Sequence, residues 1–294
     1  MTLVYFDCFA GAAGDMILGA LVDAGAPAQL VQEAIRRLGL ADVRLEFVQV
    51  SRSGLRATKA VVSAPSQPGT RTLTEITAII RQAGLDERVT TNALHVFELL
   101  ARAEARAHGS PPEAVHLHEV GMADSIVDVV GSVVALDHFR PTQVVCSDLP
   151  VGEGTARGAH GPVPVPSPAT LELLRGIPVR GGGTHETVTP SGAALLAGLS
   201  DAFERLPRVI LDTVGYGAGD RNTEAPNVLR VMIGRPLAEE PPSTDPRSEP
   251  VLVMEANLDD MNPEVLPYAL EQLIVAGAQD AWVTPVLMKK GRPG

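Results

Sequence analysis

The stretch VHLHEVGMADSIVDVVG, Val115 to Gly131, sets two imidazoles close to two carboxylates. Side chains alternate along an extended chain, so His116 and His118 point to one side and Glu119 to the other. Asp124 and Asp128 are one turn apart and share a face of the helix expected from about Asp124 to His138. Imidazole suits nickel, zinc and copper, while carboxylate and water suit magnesium and manganese. His116, His118, Asp124 and Asp128 are therefore candidate ligands of a divalent transition metal. The alternative stays open: Asp124 could cap its helix and the histidines could be hydrogen-bonded loop residues, since no zinc-finger or HExxH spacing is present.

Other positions could hold a ligand. VGEGTARGAHGPVPVPSPAT, Val151 to Thr170, places Gly152, Gly154, Gly158 and Gly161 around His160. Glycines admit close backbone approach, and the donors of such a loop can bind anions; it could equally be a plain surface loop. Thr189-Pro190-Ser191-Gly192 at a helix start offers free N–H groups to a phosphate, or simply caps the helix. Asp7, Cys8 and Asp15 flank the first glycine turn; Cys8 could be a soft metal ligand but reads rather as a small buried residue, and Asp15 rather as a helix cap than as a ligand. Asn257, Asp259, Asp260, Asn262 and Glu264 could hold magnesium or manganese through oxygen, or form a solvated acidic turn. Lys289, Lys290 and Arg292 form a basic tip that could meet phosphates or simply solubilise a frayed end. Neither a GxSxG elbow nor a Cys/His nucleophile signature is present, so these patterns alone fix no reaction.

The elements that must position these residues read as a mixed α/β chain. A buried strand spans Leu3 to Asp7, and a glycine turn leads to a helix from Met16 to about Gly25. A helix at about Pro27 to Leu38 precedes alternating stretches, Val43 to Val50 and Ala57 to Val62, expected to pair as a hairpin. Helices are expected over Leu73 to Gln82 and Glu87 to His108, with a loop from Ser63 to Arg71 before them. Leu149 to Pro168 is so rich in Gly and Pro that it is expected to be a long loop. Residues 238–250, AEEPPSTDPRSEP, read as a linker. A β-α-β piece over Val251 to Ala256, Pro263 to Ala276 and Asp280 to Met288 then reads as the first half of a ferredoxin-like unit.

Composition narrows the function. The 294 residues carry a formal charge of -11, which disfavours nucleic-acid binding. Hydrophobic residues make up 45% and aromatics only 3%, so aliphatic residues and alanine must fill the core. Two cysteines, no basic-apolar leader and no long apolar run point to a soluble cytoplasmic protein.

Seven stretches, in order from end to end, resemble the LarC family of nickel-insertion proteins. They are YFDCFAGAAGDMILGALVDAG from Tyr5, HLHEVGMADSIVDVVG from His116, HGPVPVPSPAT from His160, ETVTPSGAALL from Glu186, GYGAGDRNTEAPNVLRV from Gly215, NLDDMNPE from Asn257 and MKKGRPG from Met288. The resemblance implies a cyclometallase, a chelatase-like lyase. It would insert Ni(II) into pyridinium-3,5-bisthiocarboxylic acid mononucleotide with CTP and Mg(II) or Mn(II), forming Ni–S and Ni–C bonds. The product would serve an apo nickel-pincer enzyme such as lactate racemase. Carried onto this sequence, His116, His118, His160 and Asp124 are the implied metal ligands, and Glu119 and Asp128 the catalytic candidates. Gly152, Gly154, Thr189, Ser191 and Gly192 are the implied substrate contacts, and Asp259, Asp260, Lys289 and Lys290 are assigned to nucleotide binding. His185 matches no family position and is set aside. SQPGTR stands where many members carry a His-rich run, which argues against nickel storage.

The implied organisation is a nickel-insertion domain over 1–237, a linker over 238–250 and the start of a CTP-binding domain over 251–294. The rest of that domain is expected beyond MKKGRPG or on a separate chain, and a homo-oligomer is expected. Two other functions fit the same residues: a nickel carrier that delivers metal without catalysis, and a metal-dependent nucleotide phosphohydrolase.

Overall fold

Leu3–Asp7 has buried side chains on both faces, and it forms β1 in the interior of a sheet. The computed structural model describes residues 1–64, 70–111, 117, 121–158, 161–183, 185–237, 252–258 and 261–286. Contacts divide the chain into two units, 1–239 and 240–294.

The first unit is mixed α/β. Its sheet contains β2 (Arg44–Arg52), β3 (Leu55–Ser63), β4 (Gln143–Cys146), β9 (Ala202–Phe203), β10 (Val209–Ala218) and β11 (Val228–Pro236). The strand order is β2-β3-β10-β11-β1-β4-β9. The hairpin of β2 and β3 forms as the alternation predicts, with Phe47 opposite Ala60. β1 runs parallel to β4 and antiparallel to β11.

One face of the sheet carries α1 (Gly14–Asp23), with α2 (Ala28–Arg37) and α5 (Ala123–His138) beside it; α4 (Glu87–His108) and α7 (Pro190–Leu199) pack on α5, and the buried Leu, Ile, Val and Ala side chains of all five build the main core. α3 (Leu73–Gln82) and α6 (Pro168–Leu173) pack at its side, against α4. α1 lies directly on β10 and β3. It can do so because a Cβ at Gly217 would stand 1.7 Å from the Met16 carbonyl oxygen, and one at Gly215 2.2 Å from that of Ala20. Helix backbone thus touches strand backbone, and the first turn of α1 is held at a fixed place over the sheet.

Three expectations change. Leu149 to Pro168 is not a long loop: it contains β5 (Leu149–Val151), β6 (Gly154–Gly158), β7 (Gly161–Val165) and the start of α6. β6 and β7 form an antiparallel hairpin, and β5 pairs with β8 (Val179–Gly181). The prolines of β7, Pro162 and Pro164, share one parity, so their missing N–H groups fall on one edge and spare the ladder. Asp15 is not a cap: α1 starts at Gly14, its N-cap is Ala13, and Asp15 Oδ1 accepts from the Met16 N–H inside the first turn, at 2.8 Å.

The third change concerns the second unit. It contains a 3-10 turn at Pro263–Val265 and the helix α8 (Leu266–Val275). The strands expected around that helix do not form over 252–256 or 280–286. Neither segment has a strand beside it among the described residues, and an unpaired strand has nothing to hydrogen-bond with. Leu252, Met254 and Trp282 accordingly remain exposed. No helix among the described residues is long and apolar enough to cross a membrane.

Candidate functional site

Three helices of the first unit begin at one place. Asp15 and Met16 of α1, Asp124, Ser125 and Asp128 of α5, and Thr189 and Ser191 at the start of α7 line one open cleft of about 460 Å³. Lys59 of β3, the segment His185, Glu186, Thr187, and Asp220, Arg221 and Asn227 beyond β10 complete its walls. Partial positive charge at three helix N-termini favours the carboxylates gathered there.

The chain reaches this arrangement through backbone bonds. The Ala12 N–H donates to the Thr187 carbonyl at 2.8 Å, and the Thr189 N–H donates to the Ala12 carbonyl at 3.0 Å. These bonds fasten the starts of α1 and α7 together. Across the cleft, the Gly219 N–H donates to the Asn227 carbonyl at 3.0 Å and closes the loop that carries Asp220 and Arg221. Arg52 holds the same loop by donating to the Gly219 carbonyl from both Nε and Nη2.

The carboxylates differ in depth. Asp124 is exposed, and its Oδ1 accepts from the Ser125 N–H. Asp128, one turn further in, has a buried Oδ1 with no hydrogen-bond partner among the described residues. Burial first, then the charges of Asp15 and Asp124, push the Asp128 carboxyl well above the ordinary 3.8, with the Asp15 backbone N–H pulling the other way. Burial also raises Asp15 from 3.8, but Lys59, the Met16 N–H and Arg52 oppose the rise. The cleft therefore holds two carboxyls that burial raises, Asp15 with a cation opposing the rise and Asp128 with neighbouring charges adding to it. Among the described residues no three His, Cys, Asp or Glu side chains are grouped to hold a metal ion by themselves.

A family model described as nickel insertion protein matches residues 4–294. The chain belongs to that family. A protein of Roseiflexus castenholzii is 46% identical over 99% of this chain and 73% of its own length. A Nocardioides relative, named pyridinium-3,5-bisthiocarboxylic acid mononucleotide nickel insertion protein, is 45% identical over all of this chain and 73% of its own length. A relative of the same name from Geobacillus kaustophilus is 40% identical and is covered over 75% of its length. No solved structure matches the chain.

In this nickel insertion family member, the structure brings together five of the residues singled out from sequence: Asp15, Asp124, Asp128, Thr189 and Ser191. Three others lie outside the cleft lining and make backbone approaches instead. A Cβ at Gly152 would fall 1.6 Å from the His185 carbonyl oxygen, so Gly152 makes room for the His185 segment. A Cβ at Gly192 would fall 2.4 Å from the Ala12 carbonyl oxygen, and the Gly192 N–H is taken by Thr189 Oγ1 at 3.2 Å, the capping arrangement. Gly154 opens the β6–β7 hairpin at φ +107°. His116, His118, Glu119, His160, Asp259, Asp260, Lys289 and Lys290 lie outside the described residues.

The cleft also contains residues that sequence reasoning passed over. His185, set aside above, lines it next to Glu186 and Thr187. Lys59 gave no signal beyond a lone charge in an alternating strand. Asp220, Arg221 and Asn227 sit within GYGAGDRNTEAPNVLRV, the stretch quoted for the resemblance but not mined for ligands. Cys8 is buried as expected, with Sγ 3.7 Å from Sγ of Cys146.

Proposed function

We propose that this cleft inserts Ni(II) into pyridinium-3,5-bisthiocarboxylic acid mononucleotide, the compound in the names of two relatives. The observation that carries the reading is the Asp128 carboxyl: its Oδ1 is buried and without a partner among the described residues, and it is set in a cleft wall with Asp15, Asp124 and His185. A buried polar atom left without a partner is costly, and an arriving cation would relieve that cost.

In this reading Ni(II) is a substrate. Asp124 and His185 of the described cleft, with His116, His118 and His160, are its proposed first ligands, an imidazole and carboxylate set suited to nickel. The cation lowers the proton affinity of Asp128, which then releases its proton to solvent through the open cleft. The two thiocarboxylate sulfurs replace protein ligands on nickel. The ring C–H bond breaks, its electron pair forms the Ni–C bond, and the ionised Asp128 takes the proton; Glu119 is the alternative acceptor. Nickel stays Ni(II), and as a Lewis acid it stabilises the developing carbanion. Fixing ring and metal in one cleft removes the entropy cost of their encounter.

CTP with Mg(II) or Mn(II) is proposed to bind the unit 240–294, taken as the start of a ferredoxin-like domain, through Asp259, Asp260, Lys289 and Lys290. No step above is routed through it. The product would pass to an apo nickel-pincer enzyme such as lactate racemase, in the cytoplasm. A separate C-terminal half and a homo-oligomer are proposed partners.

The test is to mix the chain, with a C-terminal half supplied in trans, with unmetallated nucleotide, Ni(II), Mg(II) and CTP, and to follow nickel-for-proton exchange by mass. Wild type should convert the nucleotide, and Asp128→Asn and His185→Ala should not. Nickel binding without any turnover would make the protein a carrier instead. CTP hydrolysis that ignores nickel would make it a phosphohydrolase.

A further inference from the structure

Among the described residues lining the cleft, Lys59 and Arg221 are the lysine and arginine side chains, facing Asp15, Asp124, Asp128 and Glu186. Such a wall attracts Ni(II) but repels an anionic nucleotide, which needs a cation to seat it. Lys59 is ion-paired with Asp220, and the two ends of the pair are unlike: the Lys59 side chain is only 16% exposed, the Asp220 side chain 82%.

That asymmetry has a physical meaning. A lysine whose side chain is largely buried has few ways to turn its ammonium out to solvent, so an anion beside it is favoured, and Asp15 in the same cleft supplies only part of that charge. An exposed carboxylate on a loop loses little by returning to water. The pair is therefore held by the need of Lys59, and Asp220 is replaceable by any anion that brings more charge. Thr189 and Ser191 line the same cleft at the start of the ten-residue helix α7, with their hydroxyls 3.1 Å apart, as donors for such an anion.

We infer that Lys59 binds the phosphate of the mononucleotide substrate, and that Asp220 holds that position on Lys59 until the entering nucleotide displaces it. The inference rests on the substrate proposed above and adds the residue that selects a phosphorylated substrate. Phosphate exchanges for carboxylate at one ammonium, and no covalent bond changes. Displacing Asp220 also frees the 219–227 loop from Lys59, so nucleotide entry and movement of that wall are linked.

Binding of the unmetallated mononucleotide, of its dephosphorylated nucleoside and of CTP to the whole chain tests this by calorimetry. Lys59→Met should weaken mononucleotide binding about tenfold or more, the loss of a charge-assisted hydrogen bond, and leave nucleoside binding unchanged. Lys59→Arg should restore most of it. Asp220→Asn removes the internal competitor and should tighten the mononucleotide a few-fold without affecting the nucleoside. An unchanged mononucleotide-to-nucleoside ratio in Lys59→Met overturns the inference while leaving the proposed function standing. So does an Asp220→Asn variant that binds the mononucleotide no tighter than wild type, a readout that survives even if Lys59→Met fails to fold. Loss of CTP alone in Lys59→Met would move Lys59 to the other nucleotide and also overturn it. If wild type binds neither mononucleotide nor nucleoside, the proposed substrate itself is wrong.

Discussion

Gly14 and Asp128 stand so close that a Cβ at position 14 would lie 2.7 Å from Cβ and 2.9 Å from Oδ2 of Asp128. The first turn of α1 therefore sets where the α5 carboxyl can sit. Gly14→Ala should drive the carboxyl outward or part the two helices, and overpacking of this kind costs about 1–3 kcal/mol. Denaturant unfolding should show that loss, and equilibrium dialysis should show weaker Ni(II) binding. Wild-type values on both would mean that the contact has no role.

The raised proton affinity of Asp128 makes stability depend on pH in a defined direction. Its folded value lies above the unfolded one, so folding retains a proton there. The stabilisation is complete below the ordinary 3.8 and is lost as pH rises from 3.8 through the folded value. Across that window the slope is up to about 1.4 kcal/mol per pH unit. Asp128→Asn carries no such proton and should remove this contribution to the slope, so the variant gains on wild type as pH increases. Unfolding curves at stepped pH read this directly. A constant difference between the two proteins would show that Asp128 ionises normally in the fold.

Gly152 should tolerate no side chain. An added Cβ would overlap the His185 carbonyl oxygen, a backbone atom that cannot rotate away. Gly152→Ala should destabilise by about 1–3 kcal/mol and shift the 185–187 segment, so that nickel affinity falls together with stability. His185→Ala should lower nickel affinity and leave stability close to wild type. Equal stability losses in the two variants would contradict this division of roles.

Some of this architecture was open to sequence reading and some was not. The limits of α3 and α4 match the expectation because Thr72, Asp86 and Gly109 punctuate them with side-chain caps and a left-handed stop. β10 was not anticipated: Gly215 and Gly217 look like strand breakers, yet they are there because α1 rests on them. The β6–β7 hairpin was hidden by Pro162 and Pro164, which are harmless only once the paired edge is known. Asp124 and Asp128 were readable because helical spacing places them on one face. Lys59, His185 and Asp220 reach the cleft from three distant parts of the chain, and no local period can report that meeting.

Nickel binding itself should report the Asp128 proton. An ion entering beside a protonated carboxyl displaces the proton, so affinity should rise with pH through the folded value and level off above it. Calorimetry in two buffers of different ionisation enthalpy counts the released proton. Below the folded value of Asp128, wild type should release more than Asp128→Asn, and the pH dependence of affinity should flatten in the variant. His residues contribute release of their own in both proteins, so the difference between the two isolates position 128. An identical proton count in wild type and variant would place nickel away from Asp128 and require another base for the ring proton.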